Sequence, residues 1–262
     1  MELYRVSALT TELLAHILTK EFPMKTKSFL TATALTLGLA LVLSPSMADE
    51  APPRRERVLT QAEQAALTPD AVLTALEEGN GRFVAGTVTK RDHSKMVRDA
   101  VAGQYPKAVI LSCLDSRIPV EDVFDRGIGD IFVARVAGNF VNTDILGSME
   151  FGCAAAGAKV IVVLGHGRCG AVSGTINNVE LGNLTATLQN IRPAVNASTD
   201  FEGKQDASNP EFVERVTEEN VKLNVEAIRQ RSPLLRKMEE EGKVKIVGAM
   251  YEMATGQVHF MK

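Results

Sequence analysis

Two short apolar runs, Ala108-Val-Ile-Leu-Ser-Cys113 and Lys159-Val-Ile-Val-Val-Leu164, restrict the possible folds of this chain more than any other feature. A strand wetted on one face alternates polar and apolar residues. A strand covered on both faces reads instead as a continuous aliphatic stretch rich in β-branched residues. Asp130-Ile-Phe-Val-Ala-Arg135 is a third segment of this kind. The stretches between them have helical character: Val120 to Asp125 is short, and Asn142 to Ala156 sets Ile145, Leu146, Met149 and Cys153 at helical spacing. Buried strands alternating with helices imply an α/β fold with a mostly parallel central sheet flanked by helices. Lys243 to Met250 and Gln257 to Met261 enclose a Thr255-Gly256 turn, which predicts a C-terminal antiparallel edge hairpin.

The remaining segments fill in around this sheet. Thr60 to Ala66 and Thr68 to Phe83 read as helices; the second has Thr68 as N-cap and Pro69 in its first turn, and Gly79 and Gly81 are expected to break it. Lys90 to Ala102 is a polar connection or short helix carrying His93, and a helix is expected to begin around Cys169. Asn183 to Gly203 is less regular, helix plus loop. Glu211 to Arg231 and Ser232 to Glu241 are amphipathic helices. No internal repeat is present.

The first 48 residues are of a different kind. Lys25 and Lys27, an apolar stretch from Phe29 to Leu43, and Ser46-Met47-Ala48 before Asp49 have the order of a cleavable signal peptide. Residues 24–48 form the signal proper, and the acidic extension before Met24 suggests that translation starts at Met24. Residues 49–67 are a flexible lead-in with the first helix, and 68–262 the main domain built on this sheet. The expectation is a periplasmic or secreted protein with no stable membrane association after cleavage. A net charge of −3 and a pI near 5.9 leave no electrostatic footprint for nucleic acid.

Parallel sheets bind ligands beyond the carboxyl ends of their strands. Two polar motifs fall there: Cys113-Leu-Asp115-Ser-Arg117 after one run, and His166-Gly-Arg-Cys169-Gly after another. Two thiolates and an imidazole make a three-ligand zinc site with its fourth position open, the catalytic arrangement. The spacing alone also allows a redox thiol pair. Strand alternation predicts that Cys113, Asp115 and Arg117 point the same way, so that Arg117 holds Asp115 beside the open position. There the carboxylate would accept a proton from bound water, whose pKa the metal lowers toward about 7. Cys153, among small residues, reads as a helix-packing thiol.

Ser112-Cys-Leu-Asp-Ser-Arg117, Gly129-Asp-Ile-Phe-Val-Ala-Arg135, Ala137-Gly-Asn139, Gly147-Ser-Met-Glu150 and Val163-Leu-Gly-His-Gly-Arg-Cys-Gly-Ala-Val172 resemble the signature blocks of the β-class carbonic anhydrases. The resemblance runs in order from about Leu76 to the C-terminal hairpin. It implies one zinc ion per subunit on Cys113, His166 and Cys169, an Asp115–Arg117 dyad, and reversible hydration of carbon dioxide to bicarbonate and a proton by zinc-bound hydroxide. It further implies that Gln104 donates to substrate from the partner subunit, that Phe132 is an apolar wall, and that the Gly170 N–H contacts substrate. A homodimer or homotetramer follows. Some relatives close the site by moving this Asp onto zinc, with a Trp helping to form the regulatory pocket. The chain has no Trp, so an open site is expected, with Asp115 as fourth ligand only in a closed form. Arg168 departs from the small residue that many relatives carry there.

Two other functions share these residues. A zinc hydrolase of this fold could act on a related linear molecule such as carbon disulfide. A non-enzymatic zinc or redox scaffold would use Cys113 and Cys169 but has no use for the Asp115–Arg117 pair. His93 is a candidate proton shuttle, and His259 is read as structural or surface-exposed.

Overall fold

The computed structural model describes residues 57–261. The expected signal peptide and the extension before it lie outside the described residues. Two N-terminal helices, α1 (Gln61–Ala65) and α2 (Pro69–Val84), open the domain, each capped by a threonine side chain. The helix α3 (His93–Asp99) follows, capped by Asp92. The chain then enters β1 (Ala108–Ser112), α4 (Val120–Val123), β2 (Ile131–Arg135), α5 (Thr143–Glu150) and β3 (Val160–His166). Past it lie α6 (Gly170–Ile176), α7 (Gly182–Gln189), α8 (Arg192–Asn196), α9 (Pro210–Arg231), α10 (Pro233–Glu240), β4 (Lys245–Tyr251) and β5 (Val258–Phe260).

The sheet order is β2-β1-β3-β4-β5. The β1–β2, β1–β3 and β3–β4 pairs are parallel and β4–β5 is antiparallel. The expected mostly parallel sheet with an antiparallel edge pair is thus present. From β1 the chain goes to one side to reach β2, then crosses to the other side for β3. The β1/β3 boundary is therefore the switch point, where the ends of neighbouring strands leave a crevice.

Why these runs are strands is visible in their burial: every residue of β1 and β3 is buried. Alternate side chains enter different cores. Ala108, Ile110, Val160 and Val162 pack with Val72 and Leu76 of α2 and Val123 of α4. Val109, Leu111, Ile161 and Val163 pack with Met149 of α5 and with Val221 and Ile228 of α9. Each such valine, leucine or isoleucine, fully buried, contributes about 1.5–3 kcal/mol relative to exposure. At the edge, β2 is only half-buried.

Two expectations need correction. Gly79 and Gly81 do not break α2, which continues to Val84. Gly79 is there because a Cβ would lie 2.0 Å from the Phe124 carbonyl oxygen. The segment read as one helix from Asn142 runs through α5 and then widens into a π-helical turn, Phe151–Ala155, which buries Cys153.

Candidate metal centre

Three element ends deliver the candidate ligands. Cys113 is the first residue past β1, His166 the last of β3, and Cys169 the N-cap of α6. Between the last two, Arg168 adopts φ +54°, a left-handed conformation that a non-glycine residue holds at a cost of about 1–2 kcal/mol. That reversal brings Cys169 back beside the strand it has just left. The Cys113 and Cys169 sulfurs are 3.9 Å apart. Together with a ring nitrogen of His166, they form a set of three ligand atoms within 4.8 Å of one another. All three residues are buried.

The donor set suits a metal ion. His166 Nδ1 lies 2.9 Å from the Gly167 carbonyl, an arrangement that puts the proton on Nδ1 and leaves a lone pair on Nε2. His166 Nε2 is buried and has no hydrogen-bond partner. A buried polar atom without a partner is costly, and this one faces two sulfurs. Cys113 is held below the usual thiol range, first by the Cys169 thiol donating to it, against the opposing effect of burial. Cys169 is pushed up by that same contact and by burial. Gly138 donates its N–H to the Cys113 sulfur across 3.3 Å.

Asp115 and Arg117 reach the cluster by a route other than strand alternation. The strand has ended at Ser112, and residues 113–117 form a turn in which the Arg117 N–H donates to Asp115 Oδ1 at 3.0 Å. The Arg117 guanidinium then grips both carboxylate oxygens, at 2.9 and 2.7 Å. Those bonds hold the Asp115 carboxyl well below the usual carboxylate range. Its Oδ2 lies 4.0 Å from His166 Nε2. The carboxylate is thus beside the candidate ligand set and engaged by arginine.

Sequence reasoning assigned no role to Arg135. It ends β2 opposite Ser112 and donates from Nε to the Cys113 carbonyl at 2.9 Å and from Nη2 to the Asp115 carbonyl at 2.5 Å. One side chain thus ties the ligand-bearing turn to the neighbouring strand. Its position at a strand end was a signal, but only the sheet order puts that end beside Cys113.

The expected pocket residues are distributed differently. Gly170 opens α6 directly after Cys169, where a helix leaves its first N–H groups free. Gln104 is exposed and precedes β1, so about 17 Å of strand separates it from the cluster of its own chain. Phe132 is the second residue of β2, paired with Val109 and set against Phe151 at 6.2 Å between ring centroids. Neither is brought to the cluster within one chain. His93 is exposed at the start of α3, lining a hollow of about 200 Å³ with Arg91 and Asp122. His259 is exposed on β5, 3.9 Å from Glu252.

Comparison with known proteins places this geometry. The carbonic anhydrase family model matches residues 108–258. The chain is 35% identical over 197 residues to carbonic anhydrase 2 of Mycobacterium tuberculosis, covering 72% of this chain and 91% of that one. It is 34% identical over 192 residues to the carbonic anhydrase of Mycolicibacterium smegmatis, covering 72% and 92%. Among solved structures, the β-carbonic anhydrase CafA of Aspergillus fumigatus superimposes with a TM-score of 0.57 at 25% identity, over 74% of this chain and 90% of that one. A tetrameric β-carbonic anhydrase of Sordaria macrospora shares the fold, with a TM-score of 0.56 at 22% identity over 73% and 95%. With the three ligand atoms gathered at the β1/β3 switch point and the family model spanning the sheet, the chain belongs to the β-carbonic anhydrase family.

Proposed function

We propose that this protein catalyses the reversible hydration of carbon dioxide to bicarbonate and a proton, with one zinc ion per subunit held by Cys113, His166 and Cys169. The observation that carries this reading is the buried, unpartnered His166 Nε2 among two sulfurs, with an arginine-clamped carboxylate 4.0 Å away. When bound, zinc supplies Lewis acidity that makes water a nucleophile near neutral pH.

The chain's own residues then have distinct tasks. Asp115, with both oxygens engaged by Arg117, keeps lone pairs free to accept a proton and to orient the attacking water. Because its carboxyl is depressed, it stays anionic throughout the neutral range. Arg117 fixes the rotamer and also reaches the Arg168 carbonyl at 3.3 Å, linking the two ligand-bearing turns. The Gly170 N–H, at the first position of α6, would meet a substrate oxygen. Carbon dioxide is uncharged and needs apolar walls more than ionic anchors.

Those walls require a second copy. Gln104 and Phe132 stand away from their own cluster, and the half-buried β2 edge carries a groove of about 760 Å³ lined by Phe132, Ile145 and Phe151. A homodimer, alone or paired into a homotetramer, would let Gln104 of the partner subunit and Phe132 of the partner subunit complete each pocket. We further propose export: removal of residues 24–48 would give a mature chain beginning at Asp49, which mass spectrometry of protein from its native host reads directly.

The test is carbon dioxide hydration by stopped flow, with zinc measured on the same sample. One zinc per chain and loss of both metal and activity in Cys169→Ser are expected. Full zinc occupancy in Cys169→Ser, or a zinc-loaded parent without hydration activity, would overturn the reading.

A further inference from the structure

A line of hydrogen bonds reaches the candidate ligand Cys113 from the opposite side of the core. Gly138, in the loop after β2, donates its N–H to the Cys113 sulfur at 3.3 Å. The carbonyl of the same residue accepts from Asn220 Nδ2 at 2.9 Å. Asn220 lies in the middle of α9 and is 1% exposed. Its Oδ1 accepts from Asn224 Nδ2 at 3.1 Å, and Asn224 Oδ1 accepts from the Val141 N–H at 2.7 Å. Two asparagines one helical turn apart therefore pin the loop from Gly138 to Val141 onto α9.

Such amides are an expensive choice for a helix face that packs on a sheet. Each must be fully bonded, whereas an aliphatic residue there would carry no desolvation cost. The loop they hold has little freedom of its own. Gly138 has φ +85°, and the Ile191 side chain comes within 2.2 Å of where a Cβ would stand. A hydrogen bond donated to a thiolate stabilises the sulfur lone pair and reduces what it gives to a metal, and such outer contacts tune metal sites.

We propose that Asn220 is a positioning residue for the metal centre: by holding the Gly138 carbonyl, it fixes the Gly138 N–H on the Cys113 sulfur and sets how strongly that sulfur donates to a bound metal. The proposal rests on the reading of Cys113, His166 and Cys169 as metal ligands. Asn220 touches neither metal nor substrate and acts entirely through the Gly138 peptide unit.

Cobalt(II) substitution separates the two ideas. Full-length parent, Asn220→Ala and Asn220→Asp are loaded with cobalt and their sulfur-to-cobalt charge-transfer bands recorded. Asn220→Asp keeps the volume but has no N–H to donate. Thr217→Val is the control, a buried change on the same helix that removes only a bond to the Val213 carbonyl. Both Asn220 variants should move the band to longer wavelength, because a sulfur relieved of that hydrogen bond donates more strongly. The control should match the parent. Cobalt-loaded Asn220 variants whose bands superimpose on the parent's would overturn the proposal. A parent that binds no cobalt would instead refute the metal reading beneath it. Should neither Asn220 variant fold, the parent loaded with NMR-active cadmium decides: a scalar coupling between the metal and the Gly138 amide proton is expected, and its absence removes the contact on which the proposal stands.

Discussion

Gly79 and Gly81 lie two positions apart in α2, yet alanine at the two should shift stability in opposite directions. In a helix interior, Gly to Ala gains about 0.5–1 kcal/mol, because the unfolded chain loses freedom. At Gly81 nothing lies within 4 Å of an added Cβ, so that gain should be realised in full. At Gly79 the Cβ would sit 2.0 Å from the Phe124 oxygen, 2.8 Å from its carbonyl carbon and 2.9 Å from Arg126 Nη2. The carbonyl is backbone and cannot rotate away. Arg126 donates to that carbonyl from Nε at 2.8 Å and also to the Ala75 carbonyl, so it bridges α2 to the end of α4. Forcing the two apart adds an overpacking cost of about 1–3 kcal/mol and weakens a charged hydrogen bond of about 1.5–3 kcal/mol. Less the helix gain, Gly79→Ala should lose about 2–5 kcal/mol. For a domain of this size, about 2–4 °C accompanies each kcal/mol. Gly79→Ala should therefore melt about 4–20 °C below the parent and Gly81→Ala about 1–4 °C above it. Thermal unfolding followed by circular dichroism, at matched protein concentration and metal content, measures both. A Gly79→Ala protein that melts at or above the parent temperature would refute the close-approach argument.

The remaining predictions concern the centre itself. Asp115→Asn should retain zinc and lose about 10²–10⁴-fold in kcat, since an amide cannot accept the proton; undiminished activity with full zinc would remove Asp115 from the mechanism. Because the Asp115 carboxyl is depressed on folding, its contribution to stability is present above the unfolded value of about 3.9 and disappears as pH falls through the lower folded value. The stability gap between metal-free parent and Asp115→Asn should accordingly be constant at neutral pH and close only in strong acid; a gap that closes near neutrality would contradict this sign. Arg135→Leu removes both bonds to the ligand-bearing turn and should weaken zinc retention about ten-fold in chelator competition, and unchanged retention would mean the turn holds itself. Chelated protein exposed to air should join Cys113 to Cys169, two thiols giving a disulfide as dioxygen is reduced to hydrogen peroxide, since their sulfurs start only 3.9 Å apart. Buried Cys153, pushed up to about 12, should remain free. Peptide mapping tests this, and recovery of activity with zinc alone, without reductant, would count against it.

How far the sequence reached can be seen in particular residues. The sheet was legible because strands buried on both faces cannot alternate, so β1 and β3 announced themselves as apolar runs. The candidate ligands were legible because both motifs that carry them follow directly on such runs. The geometry of Asp115 was reached for the wrong reason: an Asp side chain bonding to the N–H two residues on makes a turn, and that turn, not strand alternation, sets the Arg117 grip. Gly79 was misread because local propensity says nothing of a carbonyl arriving from α4. Arg135 and Asn220 were silent for the same reason. Their partners are peptide groups 20 to 82 residues away, and backbone acceptors have no signature in sequence.

The ligands' placement on two non-consecutive segments has a consequence for biogenesis. Cys113 and Cys169 are 56 residues apart in the chain and meet only when β3 lies beside β1. A nascent or extended polypeptide presents His166 and Cys169 as a weak two-point chelate and Cys113 as an isolated thiol. On the proposed reading, metal acquisition is therefore a late event, timed by closure of the sheet and not by synthesis of the motif. The metal supply that matters is the one surrounding the chain when it folds, wherever its ribosome stood.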